Sequence, residues 1–226
     1  NHDLYRTGDK RSGGKIKMIV LDLETSGLDM INCGIWQIGA IDLETKEEFL
    51  EEARIDDEDT ISEGSLKITG KIEEELRDVS RQSQKKLLQN FLRWVSKRKI
   101  KNFICQNPQF DLSWLNIRVE KYGLEKTYHY RALDLHTIAQ LKYKEINKKF
   151  LIKDGHSDMN LSKILELCGM KEERMMMEKN KVVTEGKPHG AMEDCRLEGE
   201  CFSRLIYGKN IFPEFSKFLV PEVLKK

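Results

Sequence analysis

Residues 17–28, KMIVLDLETSGL, begin as an apolar run that reads as a buried strand and then place two acids, Asp22 and Glu24, one residue apart at its end. A strand sends residues i and i+2 out of the same face, so the two carboxylates point together toward one pocket. Carboxylates that close repel unless a proton or a cation stands between them. Either Glu24 already lies in the turn ETSGL and both acids are solvated, or the pair faces a positive charge. Asp-x-Glu alone does not choose, because the chain holds 38 Asp and Glu residues and the triplet is easily met by chance.

Outward from this run, residues 16–23, 34–43 and 47–55 are short apolar or alternating stretches separated by turn-rich segments, the pattern of three strands joined by hairpins. The period then changes. Leu87, Leu88, Phe91, Leu92 and Val95 fall at helical spacing and predict a helix over roughly 80–97, with Lys and Arg on its solvated face. A short apolar strand follows at 102–107, and after Pro108 the series Leu112, Leu115, Val119 and Tyr122 marks a second helix. Residues 128–135 read as a strand and 136–144 as a helix. Residues 160–169 read as a helix capped by Asn160 and ended by Gly169, and roughly 190–206 as a last helix. Three hairpin strands followed by alternating helices and strands describe an α/β fold: a mixed five-stranded sheet with one antiparallel strand and helices on both faces. The Lys- and Met-rich stretch from Lys142 to Lys187 has little periodicity outside 160–168, and its part MMMEKNKVVTEGK reads as a surface loop.

At 226 residues with no linker-like tract, the chain is expected to form one domain over 16–226, preceded by a mobile basic segment over 1–15. Lys and Arg number 39, so the formal net charge is only +1, and a polyanion would have to be met by local patches or by metal. The five cysteines, Cys33, Cys105, Cys168, Cys195 and Cys201, are scattered and contain no CxxC pair, which disfavours a disulfide framework or a structural zinc site. No run approaches the length of a membrane span and residues 1–15 lack the apolar core of a secretory signal. The expectation is an intracellular, cytoplasmic protein with no membrane contact.

Asp111 lies where the 102–107 strand turns into the next helix, at the kind of strand end where α/β sheets gather ligand sites. In isolation it equally suits the dipole of that helix. Asp194 sits in the first turns of the last helix, and His189 precedes it in the Gly-flanked loop GKPHGAMED. Five residues turn about 140° of helix, so the two share a site only with His189 in the loop. The other histidines, His2, His129, His136 and His156, read as solvated. Together Asp22, Glu24, Asp111 and Asp194 form a hard oxygen donor set suited to Mg²⁺ or Mn²⁺, and two such ions about 4 Å apart clamp the attacking and leaving oxygens of a phosphodiester.

These residues resemble the three motifs of the DEDDh 3′-to-5′ exonucleases, the DnaQ-like relatives of proofreading subunits, oligoribonuclease and ribonuclease T. DLETSGL matches the first motif at Asp22, Glu24 and Thr25, NPQFD the second at Asn107, Phe110 and Asp111, and HGAMED the third at His189 and Asp194. The motifs come in the family's order and at comparable separations, and SLKITGKIEEEL resembles a segment that often follows the third strand. The likeness covers roughly 17–206. It implies a ribonuclease H-like fold and a hydrolase whose Asp22, Glu24, Asp111 and Asp194 bind two Mg²⁺ or Mn²⁺ ions, with His189 as general base. It further implies release of nucleoside 5′-monophosphates from the 3′ end of a nucleic acid, with DNA placed ahead of RNA. The backbone around Thr25 would meet the terminal 3′-hydroxyl, Leu28 and Phe110 would pack on terminal bases, and Asn107 would contact substrate nearby. Many relatives have His before the Asn of the second motif; here the residue is Gln106. The alternatives are an RNA-directed exonuclease of the same family, which would read the 2′-hydroxyl, and a nucleic-acid-binding module without turnover. A polymerase or other protein partner stays open.

Overall fold

The protein is described here by a computed structural model covering residues 16–178 and 181–225, so the N-terminal segment 1–15 lies outside the described residues. Strands β1 (Ile19–Thr25), β2 (Ile35–Asp42) and β3 (Glu48–Glu52) form the expected antiparallel meander. Helices α1 (Glu63–Thr69) and α2 (Glu73–Leu76) come next, followed by α3 (Gln84–Ser96), β4 (Phe103–Cys105), α4 (Pro108–Lys121), β5 (Leu133–Asp134) and α5 (Leu135–Asn147). The main sheet has the order β3-β2-β1-β4-β5, with β4 parallel to β1 and β5 parallel to β4, so β2 is its one antiparallel strand. A two-stranded hairpin of β6 (Ile152–Lys153) and β7 (His156–Ser157) leads to α6 (Leu161–Leu167). A second hairpin of β8 (Met176–Glu178) and β9 (Lys181–Thr184) leads to α7 (Ala191–Tyr207).

The period-2 alternation of β1 divides the core. Ile19, Leu21 and Leu23 pack with α3 and α4 through Leu87, Phe91, Trp114 and Leu115, while Val20 faces the opposite layer of α5, α6 and α7. Asp22 and Glu24 share Val20's parity and therefore face α7. A register shift between Glu24 and Thr25 distorts the strand where the second acid sits, as bulges beside sites commonly do. Helix α3 carries Ser83 as N-cap, its hydroxyl accepting from the Lys86 amide, and buries the five apolar residues whose spacing predicted it. Asn160 caps α6 as expected, accepting from the Lys163 amide at 3.0 Å, and Gly169 follows that helix at φ 71°.

Two expectations are corrected. The 128–135 strand contracts to Leu133–Asp134, because Tyr128 turns into the core beside Phe103 and only two residues pair with β4. The stretch read as a surface loop over 175–187 contains β8 and β9, a ladder too short to leave a periodic trace in sequence. No helix among the described residues is long and apolar enough to cross a membrane.

Candidate active site

Two elements, β1 and α7, bring three of the four acids together in a group that does not include Asp111; Asp111 stands nearby past the end of β4, where its charge acts on Asp22 and Glu24. One ligand oxygen each from Asp22, Glu24 and Asp194 lies within 4.8 Å of the others. Asp194 reaches the sheet because α7 crosses it closely: a Cβ on Gly39 of β2 would stand 2.5 Å from the backbone carbon of Ala191. Gln37 accepts from the Ala191 amide at 2.8 Å and fixes the start of that helix. Asp111 arrives from the first turn of α4, whose N-cap Asn107 is held at φ 70°, a left-handed conformation that Asn tolerates better than most residues.

Each carboxyl is pushed up by its surroundings. Burial, then the charges of Asp194, Glu24, Glu198 and Asp111, hold Asp22 well above the ordinary carboxylate range. Burial followed by Asp194 raises Glu24 to about 8, against the pull of Arg174. Burial raises Asp111 to about 8, although the amides of Asp111 itself and of Leu23 oppose it. Asp194 is raised by burial as well, with Arg174 and His189 opposing. Buried carboxylates that raise one another's affinity for protons form a set short of positive charge.

One buried oxygen identifies what the set lacks. Oδ1 of Asp194 has no hydrogen-bond partner, although the residue is only 5 % exposed. An all-carboxylate donor set with an unpartnered buried oxygen fits a hard divalent cation.

His189 stands in the loop before α7. Its amide donates to the Ile68 carbonyl at the end of α1, and its Nε2 meets the Met175 carbonyl at 2.9 Å. A carbonyl only accepts, so Nε2 donates to it, while Nδ1 lies 3.6 Å from Asp194 Oδ2.

Beside the acids lies a cleft of about 790 Å³ between the Thr25–Leu28 turn and α1, with Phe110 and His189 on its wall. Thr25 is buried and closes the turn by donating to the Gly27 carbonyl at 2.6 Å, while Ser65 of α1 donates to the Thr25 carbonyl at 2.5 Å. Leu28 is 82 % exposed, an apolar side chain left in solvent at the cleft edge. Phe110 is half-buried against Trp114, their ring centroids 6.0 Å apart, and Asn107 is exposed outside the cleft with its amide near Asp134.

A matched family profile completes this arrangement: the sequence model of the RNase_T family, described as exonuclease, covers residues 19–202. The chain belongs to the exonuclease family. Among solved structures of similar fold, cell-death related nuclease 4 (CRN-4) is 17% identical with TM-score 0.61, over 84% of this chain and 63% of that one. The nuclease domain of 3′hExo, a DEDDh family member bound to rAMP, is 15% identical with TM-score 0.60, over 91% and 96%. The zinc-bound E. coli exonuclease I complex with single-stranded DNA is 16% identical with TM-score 0.59, over 81% and 39%. The chain thus spans nearly the whole 3′hExo nuclease domain but less than two thirds of CRN-4 and of exonuclease I. At these identities the likeness is one of fold alone. No curated protein matches the sequence.

Two residues beside the acids were not anticipated from sequence. Glu198 lies one turn beyond Asp194 on α7 and is 2 % exposed, a position that i, i+4 spacing from Asp194 could have flagged. Arg174 precedes β8 and donates from Nη1 to Asp194 Oδ2 at 3.0 Å and from Nη2 to Glu172 at 2.7 Å. Its pairing with Glu172 is local, but nothing in the sequence announces the contact with Asp194, which tertiary structure sets.

Proposed function

We propose that the chain is a metal-dependent 3′-to-5′ exonuclease that releases nucleoside 5′-monophosphates, with DNA ahead of RNA as substrate. The observation that carries this is the convergence of Asp22, Glu24 and Asp194 within 4.8 Å, beside a cleft wide enough for a terminal nucleotide. Similar folds solved with single-stranded DNA and with rAMP support a nucleic acid occupant.

Asp22, Glu24, Asp111 and Asp194 would hold two divalent ions, Mg²⁺ or Mn²⁺. Bound there, the ions would supply Lewis acidity at the scissile phosphate and charge stabilisation for the departing 3′-oxygen. The cleft binds the 3′-terminal nucleotide, with Leu28 and Phe110 offering apolar surface to bases and the backbone around Thr25 meeting the terminal hydroxyl. Asn107 meets the substrate on the strand-end side. The Met175 carbonyl fixes the His189 ring, so Nδ1 takes the proton of the attacking water. The water oxygen bonds to phosphorus, the bond to the upstream 3′-oxygen breaks, and the terminal nucleotide leaves carrying the phosphate.

RNA is the second reading, supported by the fold shared with the rAMP-bound nuclease domain over 91% of this chain. Digestion of 5′-labelled single-stranded DNA and RNA of equal sequence, with Mn²⁺ against EDTA, tests both. A metal-dependent ladder shortening from the 3′ end is expected, at least 100-fold slower in His189→Ala, in line with the usual weight of a general base. Two intact substrates in Mn²⁺ would overturn turnover in favour of a binding module.

A further inference from the structure

Away from the acids, the two segments that precede β4 and β5 build a cationic face around an exposed aromatic stack. The His129 amide donates to the Lys101 carbonyl at 2.9 Å, and Asn102 Nδ2 donates to the Arg131 carbonyl at 2.7 Å. The Thr127 hydroxyl donates to the Leu92 carbonyl of α3 at 2.8 Å, so residues 97–102 and 126–131 form one surface. Lys99, Lys101, Lys126 and Arg131 lie on it exposed or half-buried, with no carboxylate partner among the described residues, whereas the buried Arg98 pairs with Asp42 and Glu47. Glu125 is the one acid within 97–102 and 125–131. Tyr130 is 71 % exposed, its ring stacked on His129 with centroids 4.5 Å apart and the Arg131 guanidinium 5.4 Å from its centre. His129 Nδ1 accepts from the Arg131 amide at 3.1 Å, which sets that ring before any ligand arrives.

We propose that this face is a second nucleic-acid contact, which holds the single-stranded substrate upstream of the scissile phosphate. Tyr130 stacks on a base, and Lys99, Lys101, Lys126 and Arg131 meet phosphates. The inference rests on the exonuclease reading above and adds where the rest of the strand goes. A groove of about 340 Å³ shares Gln106 and Asn160 with the cavity lined by Asp22 and Asp194, and continues to Asn107, Asp134 and His136 at the carboxyl ends of β4 and β5. The Asp134 carboxylate on its wall is already engaged by the His136 amide, the Thr137 hydroxyl and the Asn107 amide. From Asp134 back to Arg131 is three residues, at most about 11 Å of chain, along the edge strand β5, where Leu133 is 41 % exposed. A strand whose 3′ end sits at the acids therefore reaches Tyr130 within a few nucleotides. A symmetric contact with a second copy of this chain would instead set four cations against four.

Tyr130→Ala removes the stack, and Lys99→Gln with Lys126→Gln removes two charges, all at exposed positions. Binding of fluorescein-labelled single strands of two to thirty nucleotides to the full chain is followed by fluorescence anisotropy in EDTA, with thermal melting alongside. Wild type should gain affinity with length. Tyr130→Ala should weaken the longest strand at least about 5-fold. The lysine pair should lower the slope of log affinity against log salt by about 1.4, the share of two phosphate contacts on a single strand. DNA and RNA strands should lose alike, since base faces and phosphates are common to both, and a loss with one sugar alone narrows the occupant to it. A gain with length that is unchanged in both folded variants overturns this face. Long strands that bind through it yet stay intact in Mn²⁺ would overturn the exonuclease reading and leave the contact standing. No binding of any strand by wild type overturns both.

Discussion

Asp22 and Glu24 occupy strand positions whose parity turns them toward α7, and burial there has a consequence for pH. Glu24 and Asp111 are raised to about 8, so between the unfolded carboxylate range and that value the folded protein binds protons that the unfolded chain does not. Their contribution to stability is therefore complete at low pH and declines as pH rises toward about 8. Each such group gives a slope of at most about 1.4 kcal/mol per pH unit. Melting in EDTA from pH 5 to 8.5 should show wild type losing stability relative to Asp111→Asn as pH rises. Parallel curves would mean that Asp111 is ionised in the metal-free protein. Saturating Mn²⁺ should flatten or reverse the decline, because cation binding requires the deprotonated acids. Glu172 goes the other way: although burial acts upward on it, hydrogen bonds from Arg174 and Ser162 bring it down to about 2.

Among the elements, α7 decides whether the third motif meets the first. Its approach to β2 depends on Gly39, where a Cβ would meet the Ala191 carbon at 2.5 Å and its carbonyl oxygen at 2.6 Å. Backbone atoms cannot swing aside as a flexible side chain can. Gly39→Ala should push the start of α7 off the sheet and cost about 1–3 kcal/mol, as overpacking usually does. A displaced Asp194 should also lower nuclease activity on the order of 100-fold while the protein remains folded. Chemical denaturation and the labelled-strand assay read the two effects, and unchanged activity would show that α7 has room at this crossing. The segments legible in sequence, α3, α4, α6 and α7, each carry a cap or an apolar stripe. Those that were missed, α1, α2 and the strands β6 to β9, are short; α1 is capped by Ser62, yet it spans only seven residues and leans on its neighbours, as when Ser65 donates to Thr25 and Ile68 accepts from His189.

Across the whole molecule, the 53–62 connection is bound to both helices of the α3/α4 layer through one buried acid. Asp59 accepts from Arg118 of α4 at 3.1 Å and from Gln84 of α3 at 2.5 Å, and Gln84 in turn accepts from the Ile35 amide. Both charged side chains are 1% exposed, so removing one leaves the other buried without a counter-ion. Asp59→Asn should therefore destabilise the protein by about 3–5 kcal/mol, and Mn²⁺ binding at the distant acids should persist below the lowered melting temperature. A loss under 1 kcal/mol in urea denaturation would mean that Arg118 finds solvent. The sequence by itself determined the hairpin of three strands, the alternation that divides the two core layers, and the four acids with their histidine. Those features rest on local periodicity and on motif spacing, which a linear chain displays. Tertiary structure alone decided that Glu198 and Arg174 join the acids and that α1 walls the cleft. Contacts between segments far apart in the chain leave no period to read, and the charge of a buried site is balanced only once those segments have met.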